Sequence, residues 1–297
     1  MPALTRRAFL TTAAALAVSR TVSAQDYPII DIHQHTPYSG RTADQLVAHQ
    51  RTMGIAKTVL LPAGRRLGLA ADAGGNDVVW DLAKRYPNEY VVFANELPDI
   101  PETRQVLEKY LKMGAIGIGE QKFPVDSDSK HIHLIADIAQ QFDVPVLLHF
   151  EHENYNFHIE RFHKVLEAHP KVNFIGHAQT WWGNIDKNHD QTVMYPKTKV
   201  TPGGITDRYL SDYANMYGDL SAGSGQNSML RDEEQARAFL KRHQDKLLFG
   251  SDCSDPAGKG EKCIGTNTLV AVRRLAPDAA ALRKILHDNA KRLMRIT

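Results

Sequence analysis

Tyr27-Pro28-Ile29-Ile30-Asp31-Ile32-His33-Gln34-His35 is the stretch whose reading decides the architecture. Its first part, 27–32, is rich in apolar and β-branched residues and reads as a strand of a parallel sheet, covered on both faces. His33 and His35 follow at the C-terminal end of that strand. Side chains two apart on a strand point to the same side, so the two imidazoles can grip one metal ion together. The chain carries its own control in His131-Ile132-His133, which opens a helical run. Two positions apart on a helix are about 200° apart around the axis, so that pair is read as structural.

Working outward, seven more short β-rich runs follow, at 57–61, 90–94, 115–119, 144–149, 172–176, 216–219 and 247–250. Helical patterns alternate with them, most clearly at 42–53, 76–85, 102–113, 131–142, 158–169, 207–214 and 233–243, with a last one at 279–294. Gly54, Pro87 and Gly114 stand just past helix ends, where stop signals belong. Strand–helix alternation implies a parallel sheet, and eight such units imply a closed (β/α)₈ TIM barrel of the α/β class, spanning 25–297 as one domain. A doubly wound sheet is the alternative, but no glycine-rich dinucleotide fingerprint follows the first strand. The longest irregular stretch, 179–204, is expected to form a lid or wall over the mouth.

The chain has 297 residues, 42% hydrophobic and 24% charged, the composition of a soluble globular protein with ample material for a core. A net charge of +2 offers no electrostatic case for nucleic acid or an anionic membrane as partner. The expected partner is a small-molecule substrate, and homo-oligomerisation is left open. Residues 1–24 read as a removable leader: Arg6-Arg7-Ala8-Phe9-Leu10, a short apolar stretch to Val18, then Val22-Ser23-Ala24. The apolar stretch is too short to span a bilayer. The paired arginines followed by Phe-Leu resemble a twin-arginine signal. The expected location is therefore periplasmic or secreted, reached by a route that carries folded proteins and so allows metal loading beforehand. The two cysteines, Cys253 and Cys263, could pair in an oxidising compartment. They lack CxxC spacing, so a cysteine-based zinc site is not expected.

Three more polar residues cap apolar strands and would point into the barrel mouth. His149 closes Val144-Pro145-Val146-Leu147-Leu148, His177 follows Val172-Asn173-Phe174-Ile175-Gly176, and Asp252 follows Leu247-Leu248-Phe249-Gly250-Ser251. With His33 and His35 they make a nitrogen–oxygen donor set on one barrel face, where catalytic residues of this fold collect. Imidazole and carboxylate without thiolate suit a divalent metal, Zn²⁺ ahead of Mn²⁺ or Fe²⁺.

This arrangement resembles the amidohydrolase superfamily, and within it the amidohydrolase-2 family that holds aminocarboxymuconate-semialdehyde decarboxylase and small lactone hydrolases. The matching pieces are Ile30-Asp31-Ile32-His33-Gln34-His35, the histidines ending strands five and six, Leu248-Phe249-Gly250-Ser251-Asp252 and Asn289-Ala290-Lys291-Arg292-Leu293. The resemblance covers essentially all of 25–297. It implies that His33, His35, His149 and Asp252 bind the metal, that His177 orients or deprotonates the water, and that Asp252 doubles as a proton carrier. It also raises Glu120, in Gly117-Ile118-Gly119-Glu120-Gln121-Lys122. In two-metal relatives a carboxylate from this region bridges the ions, and His177 then becomes a ligand of the second one. Glu120 is therefore a second-metal or substrate residue, with Lys122 the weaker bridge. Trp181 is a pocket-wall candidate, while Arg65, Arg66, Asn95 and Glu96 stand where substrate contacts could lie. The stretch 219–225 is glycine- and serine-rich and reads equally as a loop that approaches a ligand closely or as turn chemistry.

Two enzymatic readings share this ligand set. The first is a metal-dependent hydrolase that directs an activated water at a small ester, lactone or amide. The second is a metal-dependent decarboxylase of a small carboxylic acid. A non-catalytic exported metal-binding barrel is the third reading.

Overall fold

A computed structural model describes residues 27–64 and 73–296. The expected leader and Arg65 and Arg66 lie outside the described residues. Eight parallel strands follow in order: β1 (Ile29–Gln34), β2 (Ile55–Leu60), β3 (Tyr90–Val92), β4 (Ile118–Gln121), β5 (Val146–His149), β6 (Phe174–His177), β7 (Met216–Asp219) and β8 (Leu247–Leu248). Their ladders form two sheets, β1-β2-β3 and β4-β5-β6-β7-β8, so strand pairing alone leaves the barrel open at two seams. Individual backbone hydrogen bonds span both seams. At one, the amides of Ile116, Ala94 and Gly119 bond Val92, Gly117 and Ala94 at 2.9 Å each. At the other, the Ile32 amide bonds Phe249 at 3.1 Å and the Asp252 amide bonds His33 at 2.8 Å.

The second seam is reinforced by a buried carboxylate. Asp31 accepts from the amides of Ser251 and His33, from the Gln50 side chain, and from the Ser251 hydroxyl. The fold is the (β/α)₈ TIM barrel that the alternation implies.

Two apolar cores follow from the period-two alternation of buried strands. Ile30, Ile32, Val59, Leu61, Phe93, Leu147, Ile175 and Leu248 fill the barrel interior, joined at its base by Met294 and Ile296 from the last helical segment. Ile29, Leu60, Val92, Val146, Leu148, Phe174, Met216 and Leu247 face outward against the helices. The helices start and stop where local chemistry dictates. Thr42 and Gln45 make a reciprocal capping box at the head of helix Ala43–Met53, and Gly54 ends it in the left-handed conformation, φ 74°.

Some elements differ from the sequence reading. The stretch 158–169 holds a 3₁₀ turn, Ile159–Arg161, and only a short helix, His163–Ala168. The irregular stretch 179–204 begins with a helical turn, Gln179–Gly183. The glycine- and serine-rich segment is a helix, Ala222–Leu230, and a second unanticipated helix covers Ile264–Leu275. The closing run 279–294 is broken by one π-helical stretch, Lys284–Asp288. The control pair behaves as a helix demands. In helix Lys130–Phe142, His131 donates to the Pro98 carbonyl while His133 meets His169.

Candidate metal centre

The polar mouth is built on strand ends whose next inward position is already core. His149 follows Leu147 by two, His177 follows Ile175 by two, and Asp219 follows Tyr217 by two, so all three continue the inward-facing rows. β1 and β4 need a further device. The β1–β2 register shifts between Asp31 and Gln34, and the β4–β5 register shifts between Ile118 and Gln121. Such irregularities re-aim a side chain. At β1 the shift turns His33 inward directly after inward-facing Ile32, and at β4 it brings Glu120 into the mouth.

Nε2 of His33 and Nε2 of His35 converge to 3.1 Å. Asp252 Oδ1 lies 3.8 Å from the first and 3.5 Å from the second, and Glu120 Oε2 lies 3.6 Å and 3.4 Å from them. His35 donates its Nδ1 proton to the Leu61 carbonyl at 2.8 Å, which directs its Nε2 lone pair to this point. His33 donates from Nδ1 to Asp219 Oδ2 at 2.7 Å with the same result. His177 is held at Nδ1 by Ser221 Oγ, 3.0 Å, and Asp219 Oδ2, 3.3 Å. Its Nε2 faces Glu120 at 3.7 Å and Asp252 at 3.8 Å.

Of the residues singled out in sequence, His33, His35, Asp252, Glu120 and His177 meet here. Two tight groups result, His33 with His35 and Asp252, and His33 with Glu120 and His177. His149 borders the cluster. Its Nδ1 donates to Glu120 at 2.5 Å, its Nε2 lies 3.0 Å from Glu151, and its ring abuts that of His177. Trp181 is fully buried in the outer core, stacked on Phe150 with ring centroids 5.9 Å apart. Asn95 bonds the carbonyls of Pro62 and Glu120 and ties strand ends together. Lys122 lies over the Tyr155 ring, 5.3 Å from its centroid.

Electrostatics follow from two buried carboxylates, Glu120 and Asp219, and a third, Asp252, that is largely covered, all among these imidazoles. Burial alone raises the Glu120 carboxyl, but His149, His33 and His35 outweigh it and hold it well below the usual range. Burial likewise opposes ionisation of Asp219, and the bonds from His177 and His33 overcome it. His177 is pushed down by burial and by neighbouring His33, and so favours the neutral ring. Buried carboxylates in this number require compensating positive charge. Asp252 Oδ1 is also buried without a hydrogen-bond partner. An orphaned carboxylate oxygen beside two converging ring nitrogens fits a divalent cation, whose nitrogen and oxygen ligands stand about 2.0–2.2 Å away. A cavity of about 370 Å³ opens among Glu151, Asn156, Phe157, Ile159, Thr180 and Ile205, and none of the clustered histidines and carboxylates lines it.

Asp219, Ser221 and Glu151 were not read from sequence as site residues. The signal for Asp219 was present, since it ends an apolar strand as Asp252 does, but its glycine- and serine-rich sequel drew the reading to a loop or turn.

The model of the family described as Amidohydrolase matches residues 30–296. No curated protein matches the chain. Among solved structures, the chain is similar to an uncharacterized TIM-barrel protein from Bordetella bronchiseptica, with 15% identity, 91% of this chain and 99% of that one covered, and a TM-score of 0.64. It is also similar to a probable 2-pyrone-4,6-dicarboxylic acid hydrolase from Acinetobacter baumannii with citric acid bound, at 15% identity, 91% and 100% coverage, and a TM-score of 0.62. A third is a 5-carboxyvanillate decarboxylase from Novosphingobium aromaticivorans, complexed with manganese and 4-hydroxy-3-methoxy-5-nitrobenzoic acid. Its identity is 16%, its coverage 85% and 80%, and its TM-score 0.55.

Proposed function

The chain belongs to the amidohydrolase family, and from that footing we propose that it is a metal-dependent hydrolase of a small ester, lactone or amide. The observation that carries this reading is the setting of His177. Its Nδ1 is occupied by Ser221 and Asp219, its neutral form is favoured, and its Nε2 looks into the space between Glu120 and Asp252. A neutral imidazole so held is a proton acceptor at Nε2.

His33, His35 and Asp252 would hold the cation, with Glu120 as a further or bridging ligand and His149 bordering it. A bound Zn²⁺ would supply Lewis acidity, lowering the pKa of water at the site and polarising a substrate carbonyl. His177 Nε2 takes the proton from the attacking water. That same proton passes from His177 by way of Asp252, whose Oδ2 stands 3.8 Å from His177 Nε2, to the leaving group. Asp219 keeps the His33 and His177 rings in the required tautomer. The leader 1–24 would export the folded, loaded protein to the periplasm.

Decarboxylation uses the same donors and is the competing chemistry. Turnover of a panel of lactones, esters and aromatic acids in ¹⁸O-labelled water separates the two. Hydrolysis places the label in the acid product. Release of CO₂ with no label in the organic product overturns the hydrolytic reading.

A further inference from the structure

Behind Asp252, outside the mouth, three donors converge that the catalytic reading does not use. Cys253 Sγ and Cys263 Sγ stand 3.7 Å apart, and Cys263 Sγ stands 3.5 Å from His49 Nε2. All three ligand atoms lie within 4.8 Å of one another. The residues come from three elements. His49 is on helix Ala43–Met53, Cys253 follows β8, and Cys263 caps helix Ile264–Leu275. Each is at most 1% exposed. Met53, one turn on from His49, brings its thioether sulfur to 3.9 Å from Cys263 Sγ.

The two shorter separations match those between ligands of one ion. Tetrahedral ligands at about 2.3 Å for sulfur and about 2.0–2.1 Å for nitrogen put two sulfurs roughly 3.8 Å apart and sulfur and nitrogen roughly 3.5 Å apart. Both thiols are free. His49 Nε2, the ring nitrogen that would ligate, is the one turned toward the Cys263 sulfur. Cys263 also receives the Thr266 amide at the head of its helix, at 3.4 Å, a setting that favours thiolate. Two thiolates with Zn²⁺ are neutral together, which suits a dry interior.

We propose that His49, Cys253 and Cys263 form a second, buried metal site for a thiophilic cation, Zn²⁺, distinct from the histidine–carboxylate centre. The site ties the segment that begins at Asp252 to two helices. Sequence spacing concealed it, because His49 and Cys263 are 214 positions apart.

Co²⁺ titration of the full chain, stripped with chelator and kept reduced, tests this. Thiolate-to-cobalt charge-transfer absorption is expected, which a histidine–carboxylate centre does not produce. One Co²⁺ more should bind than in Cys253→Ser or Cys263→Ser, both of which lose the band. His35→Ala should retain it. Absence of the band in the unsubstituted protein overturns the proposal whether or not the variants fold. So does its persistence in both serine variants, and so does a Cys253–Cys263 disulfide detected by mass in the isolated protein before reductant is added.

Discussion

Asp219 Oδ2 lies 2.7 Å from His33 Nδ1, and both side chains are completely buried. The same carboxylate accepts the Ser221 hydroxyl at 2.7 Å and faces His177 Nδ1 at 3.3 Å. One group thus orients a histidine of each of the two converging donor groups. Asp219→Asn keeps the shape and removes the charge that selects the tautomers. Metal affinity or kcat/KM should fall roughly 10–100-fold, read by metal competition and steady-state kinetics on a folded variant. Unchanged values would remove Asp219 from the machinery.

Gly250 should not tolerate a methyl group. A Cβ there would stand 2.4 Å from Asp219 Oδ1 and 2.9 Å from the Cβ atoms of His33 and Ser221. Gly250→Ala should cost about 1–3 kcal/mol in overpacking and displace the His33–Asp219 pair. Denaturant midpoint and metal affinity should both drop. A fall in stability with full metal affinity would show that the pair does not move.

Phe162 reports the outer core without touching the mouth. It is fully buried, with ring centroids 5.1 Å from Phe150 and 5.4 Å from Phe174. Phe162→Ala should cost about 3–5 kcal/mol by urea unfolding, while kcat per folded molecule stays near that of the parent.

Asp207 supplies a pH test remote from the metal centre. Burial raises its carboxyl, but the 2.6 Å bond from His243 Nε2 and nearby Arg242 prevail, so its folded pKa lies below the ordinary carboxylate value. A depressed carboxyl adds stability above its unfolded pKa, about 3.9, and loses it as pH falls through the folded value. The stability gap between parent and Asp207→Asn should therefore be full at neutral pH and close below pH of about 4. A gap independent of pH would mean the pair contributes through packing alone.

Metal itself should stabilise the fold by mass action. Zn²⁺ held at 100 times its dissociation constant should add about 2.7 kcal/mol, seen as a rise in Tm. His35→Ala should shrink that rise, since His35 Nε2 is one of the two nitrogens that meet.

The barrel was legible because buried parallel strands are short apolar runs and most of them end in a polar residue of known chemistry. What escaped depends on contacts between distant parts of the chain. The register shifts that turn His33 and Glu120 inward leave no local trace. Helix Ala222–Leu230 hid behind glycine and serine, which are small there for tertiary reasons. A Cβ on Gly225 would strike the Leu220 carbonyl oxygen at 2.2 Å. Trp181, read as a pocket wall, is instead packed over β6, where a Cβ on Gly176 would stand 2.4 Å from its indole. Glu120, seen in sequence as a second-metal or substrate residue, stands within reach of His33, His35, His149 and His177.

The chain enters β1 from the side away from the mouth. Pro28 accepts a hydrogen bond from His287 at 2.8 Å, and Tyr27 rests against the same imidazole. The six residues of β1 then carry the backbone to His33 and Gln34, a climb of roughly 20 Å. Anything spliced ahead of Tyr27, such as a purification tag or a reporter, is therefore attached at the floor of the barrel and leaves the substrate's doorway clear.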